Sequence, residues 1–242
     1  MRLDIYLVEN KFESTRNRAK NLISDGAVSV NGNIIIKPSY DVSETDKIEI
    51  IGEKLKYVGR GGLKLEKAIK EFNLDVTGYD CIDIGASTGG FTDCLLQNGA
   101  SHVYSVDVGT CQLDAKLIAN ERVTVLENTD ARKLSPEIIP TLCDFACFDV
   151  SFISLTKVVE FVLPYIKTNG KIVVLIKPQF EAGRKNIGKN GIVSSEKVRK
   201  KVIEDLSLYF SAIGLKVIDH IVSPIQGGDG NIEYLMLLVK QR

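Results

Sequence analysis

The segment from Cys81 to Phe91, CIDIGASTGGF, constrains the fold of this chain more than any other. A short apolar strand runs into a loop with three glycines, Gly85, Gly89 and Gly90, and a helix is expected over 92–98. Glycine allows the backbone to approach a ligand where a Cβ would block it. The start of a helix offers unpaired N–H donors to a polar ligand. The pattern therefore predicts a nucleotide-type cofactor site at the carboxyl end of a parallel strand.

The glycine spacing and two nearby acids narrow the type of ligand. The loop reads G-x-x-x-G-G, lacks the Lys-Ser/Thr pair of phosphate-binding loops, and differs from the G-x-G-x-x-G of dinucleotide sites. Asp83 would repel a phosphate, whereas Asp107, after the expected strand 103–106, can accept hydrogen bonds from both ribose hydroxyls of an adenosine. S-adenosylmethionine, an adenosine derivative without phosphate, fits best. A tight turn that binds no ligand is the alternative.

The candidate cofactor contacts comprise this loop and the acidic residues that follow the next two strands. Asp130, after the strand-like run 123–126, could contact the adenine amino group, although an ordinary turn aspartate is nearly as consistent with the sequence. The full set is Asp83, Gly85, Ser87, Thr88, Gly89, Gly90, Phe91, Asp107 and Asp130.

Strand-like and helical segments alternate beyond Gly78, which predicts an α/β fold with a doubly wound, mostly parallel sheet. The expected strands are 80–84, 103–107, 123–127, 144–149 and 171–176, and the expected helices are 92–98, 111–119, 155–163 and 196–213. The last strand-like runs, 215–222 and 233–239, are joined by a Gly-rich loop, so they should form an antiparallel hairpin. A parallel sheet completed by such a hairpin is the Rossmann-like methyltransferase architecture.

The first fifty residues have a different pattern, which predicts a small α+β domain. Apolar residues at helical spacing indicate two helices, the second capped by Ser14 or Thr15 and stopped by Gly26. Asn31-Gly32 between two strand-like runs predicts a hairpin, and a further strand follows it. The expected organisation is one domain at 1–53, a linker at 54–59 and a second domain at 60–242.

Composition argues against several classes of protein. Lys plus Arg and Asp plus Glu both number 31, so the formal net charge is zero and contact with a polyanion must come from local basic clusters. Five scattered cysteines without Cys-x-x-Cys spacing argue against a zinc or redox site, so no metal is expected. The apolar runs are too short to cross a bilayer, and the charged N-terminus is unlike a signal peptide. Together these features favour the cytoplasm.

Two polar residues follow strand-like runs on the side of the sheet that faces the glycine loop. Asp149 closes one run and Lys177 the next, and the carboxyl ends of parallel strands build the active crevice of such folds. Lys177 could instead extend to solvent, although Pro178 restricts where it points. A free lysine, with a pKa of about 10.4, is protonated and cannot act as a base. Burial or a second cation nearby would lower that pKa.

The first domain carries a motif with a known counterpart. Arg2-Leu3-Asp4, and the T-R-x-x-A-x-x-L-I-x-x-G-x-V-x-V-N-G of residues 15–32, closely resemble the RNA-binding module of a small-subunit ribosomal protein, which also occurs in pseudouridine synthases. Composition alone would favour a solvated polar face for the basic residues there. The resemblance implies instead that the second helix and the hairpin lie against RNA. The implied RNA contacts are Arg2, Arg16, Arg18, Lys20 and Lys37.

Five further motifs, in order along the chain, carry a second resemblance. They are RGGLKL at 60–65 and the segments 83–93, 149–155, 177–184 and 230–233. All resemble the TlyA family, once labelled haemolysins and understood as ribosomal RNA 2′-O-methyltransferases with an FtsJ-like catalytic domain. The resemblance implies methyl transfer to a ribose 2′-hydroxyl of 16S rRNA, 23S rRNA or both, with a lysine as general base. Carried over by position, the family's tetrad is Lys64, Asp149, Lys177 and Glu233, with Lys177 as the base.

A basic loop follows the last of these strand ends. In the long loop 180–195 we expect RNA contact at the mouth of the site, whereas a solvated helix face explains the basic residues of 197–201 equally well. Phe152 and Phe180 could stack on a base, but packing is the favoured interpretation. The candidate RNA contacts of the second domain are Arg60, Arg184, Lys185 and Lys189.

Two other functions stay open at this point. A non-catalytic RNA-binding or ribosome-assembly protein could keep the same fold, although the complete tetrad argues against it. A haemolysin would need a membrane-length segment, which the sequence does not offer. The expected partner is ribosomal RNA or a ribosomal subunit, and neither DNA nor a membrane is expected.

Overall fold

The fold is that of a computed structural model, which describes residues 1–13, 15–24, 27–51, 56–227 and 230–241, without the side chains of Asn17, Asn21 and Ser24. The chain divides into two compact units, Met1–Lys56 and Tyr57–Arg242. Ser14, Gly26 and residues 54–55 of the expected linker lie outside the described residues, and the linker at 54–59 stays a prediction. Each unit has a hydrophobic core of its own.

The N-terminal unit packs two helices against a small antiparallel sheet. Its elements are α1 (Leu3–Glu9), α2 (Arg16–Ser24), β1 (Val28–Val30), β2 (Asn33–Ile34) and β3 (Ile48–Ile50), with the strand order β2-β1-β3. Asn31 and Gly32 both have positive φ, 52° and 80°, which confirms the predicted hairpin turn. Leu3, Leu7 and Ile23 are fully buried, so the apolar faces of the two helices form the core.

The larger unit is an α/β fold around a seven-stranded sheet. Its helices are α3 (Gly61–Glu71), α4 (Gly90–Gln97), α5 (Ala115–Ile118), α6 (Val159–Val162), α7 (Pro178–Glu181) and α8 (Glu196–Ala212). Its strands are β4 (Asp80–Ile84), β5 (His102–Val106), β6 (Val123–Leu126), β7 (Cys143–Phe148), β8 (Ile166–Ile176), β9 (Leu215–Val222) and β10 (Tyr234–Lys240). The order is β6-β5-β4-β7-β8-β10-β9, with the first five strands parallel and β10 antiparallel to both of its neighbours. The predicted fold class is confirmed.

The C-terminal hairpin enters the sheet with its second strand inside. β10 pairs with β8 on one side and with β9 on the other, so β9 becomes the edge. Residues 234–238 of β10 are all buried, whereas β9 exposes Asp219 and His220. An apolar strand is stabilised between two others, and a polar strand tolerates an edge. Hydrophobicity therefore explains why the order of the two strands in space is not their order in the chain.

The helix expected over 111–119 is shorter than the sequence pattern indicated. It begins at Ala115, because the carboxylate of Glu127 accepts the backbone N–H groups of residues 111–113 and holds them in a loop. Asp114 then caps the helix by accepting a hydrogen bond from a backbone N–H of its first turn. The prediction was wrong because a long-range side chain competes with the helix for these donors.

The expected extents of two further segments, one helix and one loop, were also wrong. The helix expected over 155–163 is divided at Val158, whose φ of −128° is not helical, into a 3₁₀ turn and the short α6. The loop expected over 180–195 opens on the end of α7 and contains a 3₁₀ turn, Arg184–Asn186. In both places short helical turns alternate with extended residues, a pattern without the regular spacing that sequence periodicity detects.

Helix α3 begins at Gly61, so two consecutive glycines, Gly61 and Gly62, belong to its first turn. At this first turn, the backbone of α3 lies very close to the backbone at the start of α4. A Cβ on Gly90 would lie 2.9 Å from the amide nitrogen of Gly62 and 3.1 Å from the carbonyl oxygen of Gly59. No side chain fits at that distance, so these glycines determine how the two helix starts meet.

We expect Gly62→Ala to destabilise the larger unit, because the added Cβ would overlap with the buried ring of Tyr57. Overpacking of this kind lowers the free energy of unfolding by about 1–3 kcal/mol. Gly61→Ala is the matched control, since its Cβ would meet Phe91 at 3.4 Å, an ordinary contact. Denaturant unfolding of the full chain measures both variants. Equal unfolding midpoints would contradict the prediction.

Candidate active site

A cavity of about 560 Å³ opens where β4, β5, β6 and β7 end. Cavities of this size, with a few polar groups on apolar walls, are typical of small-ligand sites. Four of the nine predicted cofactor residues line it, namely Gly85, Ser87, Asp107 and Asp130. The other lining residues are Ile84, Val106, Val108, Gly109, Gln112, Thr129, Ala131, Arg132, Asp149, Val150, Ser151, Phe152, Ile153 and Val158.

Gly85 allows the ends of two neighbouring strands to meet at the cavity. Its φ is +85°, and a Cβ there would lie 2.5 Å from the carbonyl oxygen of Asp149. The backbone N–H groups of Gly85 and Ala86 both donate to the carbonyl of Val106, at 2.8 and 3.1 Å. The first glycine of the loop therefore brings the ends of β4, β5 and β7 together, which is the close backbone approach that the sequence indicated.

Two carboxylates on the wall are held in fixed positions. Asp107 accepts hydrogen bonds from the backbone N–H of Ser87 at 2.8 Å and of Gly109 at 2.7 Å, one on each oxygen. Because each carboxylate oxygen has a second lone pair, Asp107 can still accept hydrogen bonds from ligand hydroxyls. Asp130 forms a bidentate ion pair with Arg132, which lowers the pKa of Asp130 to about 2. Asp130 therefore carries its charge at neutral pH.

Glu127 is a structural residue that the sequence reading missed. Its carboxylate accepts the backbone N–H groups of Cys111, Gln112 and Leu113 at 2.7 to 2.9 Å, which also lowers its pKa. The adjacent Asn128 N–H donates to the carbonyl of Gly109 at 2.8 Å. These bonds join the loop after β5 to the loop after β6 and form one wall of the cavity. A glutamate directly after a strand is the only signal in the sequence, and it has no recognisable spacing.

Asp83 does not reach the cavity. Its side chain is fully buried, its Oδ2 accepts a hydrogen bond from Thr92 Oγ1 at 2.7 Å, and Cys147 Sγ lies 3.6 Å from its Oδ1. Burial raises the pKa of Asp83 to about 7, although the hydrogen bond from Thr92 acts in the opposite direction. The structure thus uses Asp83 to hold α4 against β4 and does not place it among the residues that line the cavity.

The second half of the glycine loop does not line the cavity either. This applies to Thr88, Gly89, Gly90 and Phe91. Gly89 precedes α4 with a φ of 94°, and a Cβ there would overlap with Leu117. Phe91 is buried in the core of the larger unit. These residues shape the start of α4 and its packing, so the loop divides into a half that faces the cavity and a half that faces the core.

The four tetrad residues form two ion pairs. Lys177 Nζ lies 2.6 Å from Asp149 Oδ1 and donates a hydrogen bond to Ser151 Oγ at 2.8 Å. Lys64 Nζ lies 2.5 Å from Glu233 Oε2, and both of these side chains are buried. A buried charge is stable only when it is paired, so Lys64 and Glu233 depend on each other.

Strand register brings these residues to one edge of the sheet. Tyr234 of β10 pairs with Ile176 of β8, so Glu233 and Lys177 occupy adjacent places at the ends of neighbouring strands. The backbone N–H of Asp149 donates to the carbonyl of Ile84 at 2.9 Å, which fixes Asp149 beside the end of β4. Strand pairing therefore positions three of the four residues, although they are far apart in the sequence, and Lys64 reaches Glu233 from α3.

The loop after β7 is linked to α7 at the mouth of the cavity. Phe152 has 92% of its surface exposed and a φ of +65°, and its ring centroid lies 5.2 Å from that of Phe180. The carboxylate of Glu181 accepts hydrogen bonds from Ser154 Oγ at 2.6 Å and from the Leu155 N–H at 2.8 Å. Packing was the favoured interpretation for both phenylalanines. The structure shows that Phe152 packs on Phe180 and still presents most of its surface to solvent.

In the N-terminal unit, two predicted RNA contacts converge on one buried acid. Arg2 forms a bidentate pair with Asp4 at 2.9 and 3.0 Å, and Arg16 Nε donates to Asp4 Oδ2 at 2.9 Å. Asp4 is fully buried, and the hydrogen bonds from Arg2 and then Arg16 lower its pKa to about 2. About half of each guanidinium side chain is exposed. Arg18 is more buried and pairs with Glu13 at 2.9 Å.

The other predicted RNA contacts differ in exposure. Lys37, Arg184, Lys185 and Lys189 are exposed, and Lys20 and Arg60 are half-buried. On α8, Lys200 and Lys201 form ion pairs with acids on the same helix, and Arg199 donates to the carbonyls of Val193 and Ser194. These α8 contacts favour a solvated, internally paired helix face over RNA contact for 199–201.

Comparison with known proteins identifies the family. Residues 57–240 match the FtsJ-like methyltransferase family, and residues 1–48 match the S4 domain. The chain is 37% identical to the Mycobacterium tuberculosis protein named 16S/23S rRNA (cytidine-2′-O)-methyltransferase TlyA, over 99% of this chain and 90% of that protein. This chain belongs to the TlyA family of FtsJ-like methyltransferases. The expected enzyme class, a methyltransferase, is confirmed.

Further relatives of this TlyA-family methyltransferase match it over similar lengths. Hemolysin A of Brachyspira hyodysenteriae is 41% identical over 97% of the chain and 98% of that protein. A solved structure of a hemolysin candidate from Streptococcus thermophilus is 45% identical, covers 100% of this chain and 88% of its own, and has a TM-score of 0.81. Within the described parts of this methyltransferase, no helix has both the length and the apolar character needed to cross a membrane.

We expect the stability of this methyltransferase to depend on pH through Asp83. Its pKa of about 7 lies above the ordinary 3.8, so the folded state binds a proton that the unfolded state has lost between these values. The stabilisation is therefore complete below about pH 4 and is lost as the pH rises through about 7. Each unit of pKa difference corresponds to about 1.4 kcal/mol.

Asp83→Asn keeps the size and an acceptor for Thr92 but removes the titration. Relative to this variant, the wild-type protein should lose stability between about pH 4 and pH 7. Denaturant unfolding of both proteins across this range measures the difference, and other titrating groups cancel in the comparison. A stability difference that stays constant with pH would contradict the prediction.

Proposed function

We propose that this protein transfers a methyl group from S-adenosylmethionine to a ribose 2′-hydroxyl of ribosomal RNA, with Lys177 as the general base. The observation that carries the proposal is the Lys177–Asp149 ion pair at the rim of the cavity, where Asp149 itself forms part of the wall. The buried Lys64–Glu233 pair completes the tetrad implied by the family resemblance. The name of the M. tuberculosis relative supports ribosomal RNA as the substrate class.

The residues of the cavity fit the adenosine part of S-adenosylmethionine. Asp107 offers lone pairs to the two ribose hydroxyls, and Asp130 is an acceptor for the adenine amino group. Among the lining residues, all of which the structure describes, Arg132 is the one cation, and it is paired with Asp130. Such a wall suits a ligand without phosphate. When bound, the cofactor supplies a methyl group on a sulfonium that is already activated for transfer.

The protein's own contribution is to position the hydroxyl and to remove its proton. A ribose 2′-hydroxyl is a weak nucleophile, so its proton must leave as its oxygen acquires the methyl group. In the proposed step, neutral Lys177 accepts this proton at Nζ, and Asp149 holds Nζ at the rim of the cavity. The Lys64–Glu233 pair orients the ribose. Most of the remaining rate enhancement comes from alignment of the two reactants.

The RNA contacts of the N-terminal unit have a defined geometry. A guanidinium has five N–H donors, and Asp4 takes two from Arg2 and one from Arg16. The remaining donors can bind phosphate oxygens, and the buried carboxylate keeps the two side chains from moving independently.

The exposed face of Phe152 at the mouth of the cavity is a stacking surface for an unpaired base. In this proposal the N-terminal unit contributes phosphate contacts, and the larger unit contributes a base contact and the chemistry.

We expect Lys177→Ala to abolish methyl transfer, with at least a 100-fold loss of kcat, because no other base is assigned to the hydroxyl proton. Cofactor affinity should stay within about threefold of the wild-type value, since Lys177 does not line the cavity. Transfer of a labelled methyl group to separated ribosomal subunits measures activity, and calorimetry measures cofactor binding. Mapping of the modified nucleotide then identifies the ribose.

Lys167→Ala is the matched control for this experiment. Lys167 lies in β8, the strand that Lys177 directly follows, and also forms a 2.6 Å ion pair, with Asp144, but at the opposite end of that strand. This variant should keep wild-type activity. Full activity of Lys177→Ala would exclude the lysine as base, and methylation of a base in place of a ribose would exclude the proposed reaction.

We expect Arg16→Ala to weaken binding of the full chain to ribosomal RNA. The slope of log affinity against log salt concentration should become shallower by about one, the change expected for the loss of one phosphate contact. Lys67→Ala is the control, because it also removes an exposed, paired charge but lies on α3 of the other unit. Binding to an rRNA fragment at several salt concentrations measures both slopes. The same slope for wild type and Arg16→Ala would contradict this contact.

A further inference from the structure

Ser151 has a contact in the tetrad that neither the family resemblance nor the sequence motifs assign. Its Oγ lies 2.8 Å from Lys177 Nζ and accepts a hydrogen bond from it. In the part of the chain that the structure describes, the two polar groups that Nζ contacts are Ser151 Oγ and Asp149 Oδ1. Both residues also line the cavity, so the lysine is held from the side on which the ligand binds.

The proposed step requires Lys177 to act as a neutral amine, which changes what Nζ can offer to its neighbours. An ammonium has three N–H donors and no lone pair, whereas a neutral amine has two N–H donors and one lone pair. In that neutral form, Ser151 Oγ accepts one N–H, and Asp149 Oδ1 lies 2.6 Å from Nζ on a second side of the group. The lone pair can then take the remaining direction around Nζ, toward a substrate hydroxyl.

The loop that carries Ser151 is fixed by contacts that do not involve its side chain. Phe152 packs against Phe180, and Glu181 accepts hydrogen bonds from Ser154 and Leu155. Within the described residues, the Ser151 hydroxyl itself makes a single hydrogen bond, the one to Lys177. Removal of this hydroxyl therefore takes away a contact to the base and leaves the anchors of the loop intact.

We propose that Ser151 is a positioning residue for Lys177, which holds one N–H of the amine so that its lone pair faces the ribose 2′-hydroxyl. This inference rests on the proposed function of Lys177 as the base. In the step it supports, the hydroxyl proton moves to Nζ and gives an ammonium. The oxygen would form its bond to the methyl carbon as the bond between that carbon and the sulfonium sulfur breaks, with the electron pair of the broken bond left on sulfur. Ser151 remains an acceptor throughout and exchanges no proton.

Kinetics of Ser151→Ala and Ser151→Thr, at saturating cofactor and ribosomal subunits, test this role. Loss of one hydrogen bond to a charged or reacting group predicts a roughly tenfold lower kcat for Ser151→Ala, with the KM for cofactor within twofold of wild type. Ser151→Thr keeps the hydroxyl and should recover most of the activity. Ser154→Ala is the matched comparison, because its hydroxyl bonds to Glu181 and not to the lysine. It should lower thermal stability and leave the KM for cofactor unchanged.

Three results would overturn the inference: wild-type kcat for Ser151→Ala, a loss confined to the KM for cofactor, or a Thr variant as impaired as the Ala variant. An unfolded Ser151→Ala protein, recognised by its circular dichroism, would also contradict it, since the hydroxyl would then support the fold. The variant Lys177→Ala separates the two proposals. If Lys177→Ala is inactive and Ser151→Ala is unaffected, only the positioning role of Ser151 is contradicted. If Lys177→Ala is active, Lys177 is not the base, and the proposed function is contradicted as well.

Discussion

Ile84 and Phe148 end neighbouring parallel strands in register, and the Asp149 N–H continues the ladder by donating to the carbonyl of Ile84. The cavity and the place of Asp149 follow from this parallel pairing, because it brings the carboxyl ends of the strands to one edge of the sheet. A shift by one residue would turn Asp149 to the other face and separate it from Lys177. Gly85 is required at the same point, since a Cβ there would meet the carbonyl of Asp149.

A second constraint is electrostatic, since the carboxylates of the site all have partners in the protein. Asp107 accepts backbone N–H groups, Asp130 is paired with Arg132, and Asp149 and Glu233 are each paired with a lysine. These pairs fix the geometry before any ligand binds, so little reorganisation is needed during the reaction. Asp4 does the same for two arginines in the N-terminal unit. In both units a carboxylate determines where a cation points.

Chemistry and spacing in the sequence indicated candidate site residues, whereas packing determined where each side chain lies. Asp107 was predicted from its place after a strand, and it lies on the cavity wall. Asp83 carries an equally suggestive charge, but its side chain points into the core and is fully buried. Glu127 was missed because its three backbone partners depend on a loop that no periodicity describes. The motif thus indicated where the cavity lies, but not which of its residues line the cavity and which are buried in the core beside it.

The sequence by itself determined the fold class and the glycine loop, because strand and helix periodicity and motif spacing are local properties of the chain, and its resemblance to a known family implied the tetrad. Only the tertiary structure showed that β10 lies inside the sheet, that Gly90 allows the starts of α3 and α4 to approach closely, and that Ser151 accepts a hydrogen bond from Lys177. The reason is physical. Burial and hydrogen bonding between distant segments are resolved only when the strands pair, and that pairing joins residues that no sequence window contains.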